Sequence, residues 1–118
     1  DCVLVDEVQM LKPHHIDQLR EITLLYKVPV ICYGLRMSYT LELFDASKRL
    51  LELADKLEEI KTVCWYCNSK ATHNLKLVDG KPEYIGNPID IGGLEKYIPV
   101  CYDHYAHPLT TYQADKTE

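Results

Sequence analysis

The chain carries no excess of positive charge and no long apolar run. Its 118 residues include 13 lysines and arginines against 18 aspartates and glutamates, giving a net charge of −5. Proteins that bind nucleic acid usually present a basic surface, so this balance disfavours a nucleic-acid partner. No stretch approaches the roughly 18 uninterrupted apolar residues of a membrane-spanning helix, so we expect no membrane partner. Apolar residues nevertheless make up 47 % of the chain, enough for a folded core.

The sequence also lacks the glycine-rich phosphate loop G-x-x-x-x-G-K-[ST]. Its Gly80-Lys81 pair has neither the earlier glycine nor a hydroxyl residue after it. The first residues, DCVLVDE, have the pattern of a buried strand and are preceded by neither Met nor a leader. Because globular domains seldom begin inside a strand, we expect an N-terminal portion upstream of Asp1, and the absent leader indicates nothing about export.

Two apolar runs and one helical pattern predict a parallel βαβ unit at the start of the chain. CVLVD and VPVICYG are short runs rich in β-branched residues, and Pro13 opens a stretch between them whose apolar residues recur at helical spacing. Continuous apolar runs of this kind are typical of parallel strands that are buried on both faces. We expect Cys2 and Cys32, which lie in these runs, to be reduced core residues.

The second half of the chain has a different, β-rich pattern. EIKTV predicts a short strand that leads into Cys64, and Asp79-Gly80 predicts the turn of a hairpin. The predicted organisation is therefore a partial α/β core over residues 1–60, a small β-rich domain over residues 61–106 and a polar tail over residues 107–118.

Two pairs of soft ligands, C-W-Y-C and C-Y-D-H, give the clearest chemical signal. Structural zinc takes four tetrahedral ligands from thiolate and imidazole, and Cys64, Cys67, Cys101 and His104 meet that demand. The alternatives are a redox C-x-x-C, or a lone disulfide with Cys101 and His104 incidental. Redox motifs, however, usually lie at a helix N-terminus near the start of a βαβ unit. We therefore expect a closed zinc site that fixes both ends of the segment between the two pairs.

An acidic pair, Asp6-Glu7, ends the first apolar run. Carboxylates at the carboxyl end of a parallel strand face the crevice where nucleotides bind. There Asp6 could hold Mg²⁺, and Glu7 could accept a proton from an attacking hydroxyl. Acidic pairs also end many strands without any catalytic role, so a solvated loop is the open alternative.

Several stretches occur together in a fixed order: DEVQ, VPVICYGLR, LLELAD, EIKTVCWYC, KATHNLKL, IDIGGLEKY and VCYDHY. In this order they resemble the type II thymidine kinases, a cytosolic family with a zinc-held loop called the lasso. The resemblance runs from residue 1 to about residue 106. It implies an α/β fold with a parallel-sheet, P-loop-type nucleotide kinase core, partly present here, followed by a small β-rich zinc-binding lasso domain in a cytoplasmic protein.

The resemblance implies phosphoryl transfer from ATP, with Mg²⁺, to the 5′-hydroxyl of thymidine or of deoxyuridine. Glu7 would be the general base, Asp6 would lie on the Mg²⁺ side, and the four Cys and His ligands would hold a structural Zn²⁺. The implied substrate-binding positions are Leu35, Tyr39, Phe44, Asn74, Pro88, Asp90, Gly92 and Tyr97. The family further implies a homotetramer and feedback by dTTP. Without a phosphate loop, the present chain alone should be inactive.

The sequence departs from the family's pattern in two places, which leaves the nucleoside preference open. Met10 stands where Phe usually follows the DExQ motif, and Met37-Ser38-Tyr39 stands where Thr-Asp-Phe usually follows YGLR. Two other functions stay open on the sequence. One is a non-catalytic zinc-ribbon interaction module, and the other is a thiol-redox protein that uses Cys64 and Cys67.

Overall fold

The computed structural model describes residues 1–88 and 95–109. Its elements are β1 (Val3–Val5), a 3₁₀ turn (Val8–Met10), α1 (Pro13–Tyr26), β2 (Val30–Cys32), α2 (Asp45–Leu53), β3 (His73–Val78), β4 (Lys81–Glu83), β5 (Glu95–Val100) and α3 (Tyr102–Ala106). The helices of these ranges are all too short or too polar to cross a membrane.

The contacts divide the chain into two compact units. The first unit comprises residues 1–37 and 42–58, and the second comprises residues 38–41 and the described residues from 59 onward. The predicted boundary near residue 60 stays a prediction, and residues 38–41 belong with the second unit although they lie well before it in sequence.

The first unit contains the predicted βαβ arrangement. β1 pairs with β2 in parallel, with Val3 opposite Val30 and Val5 opposite Cys32. Pro13 is the first residue of α1, where its missing N–H costs no helical hydrogen bond. The core of the unit consists of buried Val8, Ile16 and Ala46, and partly buried residues including Val5 and Cys32 pack against it.

Two predictions about the first unit were wrong. Among the residues that the structure describes, nothing buries the second face of the strands, because Leu4 and Ile31, which are cross-strand partners, are 66 % and 44 % exposed. Their neighbours Val5 and Cys32 face the helices, and side chains alternate along a strand, so Leu4 and Ile31 face the other way. Cys2 is exposed rather than part of the core, because it precedes the first paired residue of β1.

The second unit is built on an antiparallel sheet with strand order β4-β3-β5. The predicted hairpin is confirmed: Asp79 and Gly80 join β3 to β4 with φ values of 54° and 81°. Two successive residues with positive φ suit the right-handed twist of a tight hairpin. The strand predicted for EIKTV was wrong, since Val63 makes a single isolated bridge to Lys70 and the residues before it are not in a strand.

The central strand β3 gives this sheet two different faces, because successive side chains point to opposite sides. On the apolar face, Leu75 and Leu77 are buried with the β5 residues Ile98 and Val100. The polar face includes Asn74 and Lys76 on β3, Glu83 on β4 and Tyr97 on β5. Glu83 and Tyr97 are the register partners of Lys76. The ring of Tyr39 lies over Lys76 on the polar face.

Candidate functional site

Four side chains converge beside the apolar face and form the candidate metal centre: Cys64, Cys67, Cys101 and His104. Their ligand atoms all lie within 4.8 Å of one another. The Sγ atoms of Cys67 and Cys101 are 3.8 Å apart, and His104 Nδ1 lies 3.7 Å from Cys64 Sγ and 3.3 Å from Cys101 Sγ. A tetrahedral zinc ion with Zn–S bonds of about 2.3 Å sets its sulfur atoms about 3.8 Å apart. The donor set and its spacing therefore fit a metal such as zinc.

Local backbone structure presents these four donors. Cys101 is the residue immediately before α3, and His104 lies one turn later, so one short helix orients both. At the other pair, the backbone N–H groups of Tyr66 and Ser69 donate to Cys64 Sγ and Cys67 Sγ, each at 3.4 Å. The C-x-x-C turn thus points its amides at the sulfur atoms, which favours the thiolate form that a metal binds.

The local environment favours the thiolate form at Cys67 and disfavours it at Cys101. The N–H of Ser69 lowers the pKa of the Cys67 thiol to about 6, whereas burial raises the pKa of Cys101. A cation between them would favour the thiolate at both sites, since a coordinating thiol is deprotonated. No disulfide joins the five cysteines, all of which lie in the described part of the chain. Cys64 is fully buried, so it lacks the solvent access that thiol exchange requires.

The acidic pair forms a tight turn directly after β1. Glu7 has a φ of 53°, a left-handed conformation that side chains other than glycine rarely adopt. The N–H of Glu7 donates to Asp6 Oδ1 at 2.8 Å, and the side-chain amide of Gln9 donates to Glu7 Oε1 at 2.6 Å. Both acidic residues are exposed. Unusual backbone conformations of this kind are concentrated at functional sites, where the surrounding structure holds them.

Gln9 was not among the predicted site residues, although it belongs to the DEVQ motif. It is 4 % exposed and hydrogen-bonds in two directions, because its Oε1 also accepts the N–H of Leu35 at 3.1 Å. The backbone at residue 34 can lie this close to the Gln9 side chain only because it is glycine, since an added Cβ would lie 2.6 Å from Gln9 Oε1. A glutamine between Val8 and Met10, in an otherwise apolar turn, is the signal that could have identified this link between DEVQ and YGLR.

Three of the predicted substrate-binding residues, Leu35, Tyr39 and Phe44, are divided between the two units. Leu35, which is 45 % exposed, and buried Phe44 belong to the first unit, whereas Tyr39 belongs to the second. Tyr39 is 2 % exposed, and its hydroxyl donates to the carbonyl of Asn87 at 3.1 Å.

The polar face brings three predicted substrate-binding residues together in the second unit. The rings of Tyr39 and Tyr97 lie with their centroids 6.0 Å apart and tilted by 56°. Asn74 lies on the same face, two residues before Lys76 on β3. Pro88 is exposed, and Asp90 and Gly92 fall outside the described residues.

Comparisons with known proteins point to the same family over most of the chain. The family model described as thymidine kinase matches residues 1–105. A thymidine kinase from Enterococcus faecalis is 51 % identical over 109 residues, which cover 92 % of this chain and 56 % of that protein. Thymidine kinases from Lactiplantibacillus plantarum and Streptococcus gordonii are 50 % and 52 % identical over 107 residues, each covering 91 % of this chain and 56 % of the relative. The chain thus spans about half the length of the curated relatives it matches.

Proposed function

The chain belongs to the thymidine kinase family, and we propose that the full-length protein transfers the γ-phosphoryl group of ATP to the 5′-hydroxyl of thymidine. The observation that carries this proposal is the match over residues 1–105, which includes both the acidic turn and all four candidate metal ligands. We assign β1 and β2 to a P-loop-type nucleotide kinase core. Phosphate binding is assigned to no residue of this chain, whose sequence has no phosphate-loop motif.

Glu7 is the proposed general base. Its carboxylate is exposed at the carboxyl end of a parallel strand, where substrates of α/β proteins bind, and Gln9 holds one of its oxygens. In this role the other oxygen would accept the proton of the 5′-hydroxyl as that oxygen attacks the phosphoryl group. We assign Asp6 to the Mg²⁺ that accompanies ATP, which would neutralise charge on the transferred group.

The metal of the second unit is proposed to be Zn²⁺ in a structural role. Four protein donors fill a tetrahedral shell, so no coordination position is left for a substrate or a reactive water. The ion would link the turn that holds Cys64 and Cys67 to the start of α3, which holds Cys101 and His104. We propose that the second unit is the lasso domain of the enzyme. The metal would hold together both ends of the segment between the two ligand pairs.

The nucleoside-binding role is proposed for the residues that the family resemblance indicates. Support comes from the polar face, where Tyr39, Asn74 and Tyr97 offer two rings and an amide beside one another. A largely dry site with fixed polar groups rejects a base that leaves those groups unpaired. The further assignments are Leu35, Phe44, Pro88, Asp90 and Gly92. A homotetramer, feedback by dTTP and turnover of deoxyuridine are proposed from the family alone.

The test is turnover of thymidine by the full-length protein with ATP and Mg²⁺, compared with its Glu7→Gln variant. We expect the variant to lose about 10²–10⁴-fold in kcat because it lacks a general base. Thymidine affinity, measured by calorimetry, should be retained, since the amide keeps the size of the carboxylate. Glu21→Gln, a change at an exposed position on α1, is the matched control and should turn over normally.

The outcomes separate the assignments. Normal turnover by Glu7→Gln would remove Glu7 from the role of base but leave the kinase function. A wild-type protein that binds zinc and does not phosphorylate thymidine would overturn the proposed function and favour the zinc-ribbon interaction module.

A further inference from the structure

The polar face buries a lysine at its centre. Lys76 is 1 % exposed, and lysine is almost never buried to this extent unless its charge is paired. It lies on the central strand β3, with Glu83 as its register partner on β4 and Tyr97 as its register partner on β5. Its side chain is therefore enclosed by the sheet on both sides and by Tyr39 above.

Three neighbours compensate the buried ammonium. Lys76 Nζ lies 3.4 Å from Glu83 Oε2, and it donates a hydrogen bond of 3.5 Å to the hydroxyl of Tyr39. It also lies 4.7 Å from the ring centroid of Tyr39 and 6.0 Å from that of Tyr97. A cation within about 6 Å of a ring centroid is attracted to the face of the ring. One charge therefore attracts two rings at once.

Packing alone does not account for a lysine at this position. A buried ion pair is often no more stabilising than apolar side chains of similar volume, because both charges must leave water. The opposite face of the same strand is filled by Leu75 and Leu77, so the chain does use apolar residues where only burial is required. The interactions of the Lys76 ammonium depend on orientation, so they favour one arrangement of the rings around it.

We propose that Lys76 is a positioning residue of the nucleoside site, which holds the rings of Tyr39 and Tyr97 in their tilted arrangement. This inference rests on the proposed function, which assigns both rings to the nucleoside. Rings that are already ordered bind a ligand without the loss of side-chain freedom that loose rings would suffer. Glu83 is the counter-ion of the lysine in this environment, at 3.4 Å from its Nζ.

The arrangement extends to the loop after β4. The Tyr39 hydroxyl, which accepts from Lys76, donates to the carbonyl of Asn87. An added Cβ on Gly86 would lie 2.5 Å from that hydroxyl oxygen, so the loop passes close against the ring. Lys76 thus acts on Tyr39, and Tyr39 in turn fixes the path of residues 86 and 87.

The experiment compares Lys76→Met with wild type in the full-length protein. Methionine keeps the length and removes the charge, so the KM for thymidine should rise roughly tenfold or more, while the KM for ATP and the zinc content stay unchanged. Lys76→Arg should restore most of the affinity, because a guanidinium also interacts with ring faces. Lys81→Met is the matched control: Lys81 is exposed and lies on β4 opposite Val78, on the same side of the sheet.

A second readout is independent of turnover. The ring resonances of Tyr39 and Tyr97 in NMR spectra should shift in Lys76→Met and stay in place in Lys81→Met. If wild type fails to phosphorylate thymidine, the proposed function falls, and unshifted ring resonances would overturn the role of Lys76 as well. If wild type is active but Lys76→Met keeps its thymidine KM within about twofold, the positioning role alone is overturned. Should Lys76→Met fail to fold, Glu83→Gln removes the counter-ion instead, and an unchanged thymidine KM in that variant would overturn the proposal.

Discussion

The two faces of the β4-β3-β5 sheet share the same strands but are built on opposite principles. On the apolar face, Leu75 and Ile98 are buried together and lie beside the candidate metal centre. On the polar face, the buried group at the corresponding depth is the charged side chain of Lys76, paired with Glu83 and covered by Tyr39. Burial is nearly complete at the centre of both faces, so exposure does not distinguish them.

The difference shows how a small unit can separate stability from specificity. Apolar burial is non-directional and approximately proportional to area, so the apolar face can stabilise the unit without fixing the exact orientation of each side chain. A buried charge gives little net stabilisation, but its hydrogen bonds and ring contacts fix orientation. The proposed metal would allow this division, because it would supply stability that so small a core cannot supply by itself.

The largest effect should come from the metal centre on the apolar side. Cys64→Ser removes a fully buried candidate ligand, so the second unit should lose the proposed zinc and much of its order. Apparent binding of structural zinc contributes on the order of 10–16 kcal/mol at neutral pH, which exceeds the stability of most small domains. Elemental analysis measures the zinc, and hydrogen exchange measures the order of β3 and β5. Treatment of wild type with a chelator should give the same loss of protection.

The control for this change is Cys2→Ser, which alters an exposed thiol in the first unit. It should keep both zinc content and exchange protection. A Cys64→Ser protein that retains one zinc per chain and normal protection would show that the four donors do not form a metal site. The stability of the second unit would then have to come from its apolar face alone.

The next largest effect should come from the apolar face itself, tested while the metal centre is left intact. Leu75 is fully buried, so Leu75→Ala should lower the free energy of unfolding of the second unit by about 2–5 kcal/mol through lost burial and the cavity left behind. Denaturant unfolding of the zinc-loaded protein measures the change. Ile85→Ala, at a position that is 86 % exposed in the same unit, is the control and should change the free energy by less than about 0.5 kcal/mol. Equal effects at the two positions would contradict the assignment of the apolar face as the core.

Local signals explain which parts of this structure the sequence could predict. The βαβ start and the Asp79-Gly80 turn are encoded by short patterns. The paired spacing predicted that Cys64, Cys67, Cys101 and His104 would lie together, and the structure places them together as candidate metal donors. The exposed position of Leu4 could not be read from its run, because an apolar strand has the same pattern whether one face or both faces are covered. The failure at EIKTV has a similar cause, since strand propensity alone cannot show whether a partner strand is available.

The polar face shows the limit of such reasoning most clearly. Alternation along β3 predicts that Asn74 and Lys76 share a side, but a lysine in a short strand usually indicates a solvated face. Its burial follows from Tyr39, which lies far away in sequence, and from Glu83 and Tyr97 on the two flanking strands. The burial of Gln9 likewise depends on Gly34 and Leu35, and non-local contacts of this kind are not visible in a single sequence.

The smallest effect tests how much the polar face contributes to stability. Tyr39→Phe removes the hydroxyl that bonds Asn87 and Lys76 but keeps the ring and its contact with the ammonium. The free energy of unfolding of the second unit should fall by about 0.5–1.5 kcal/mol, the usual net value of a hydrogen bond. Tyr102→Phe, at a residue that is 59 % exposed in the same unit, is the control and should have almost no effect. A loss as large as that of Leu75→Ala would mean that the polar face stabilises the unit as strongly as the apolar face, and the division between them would not hold.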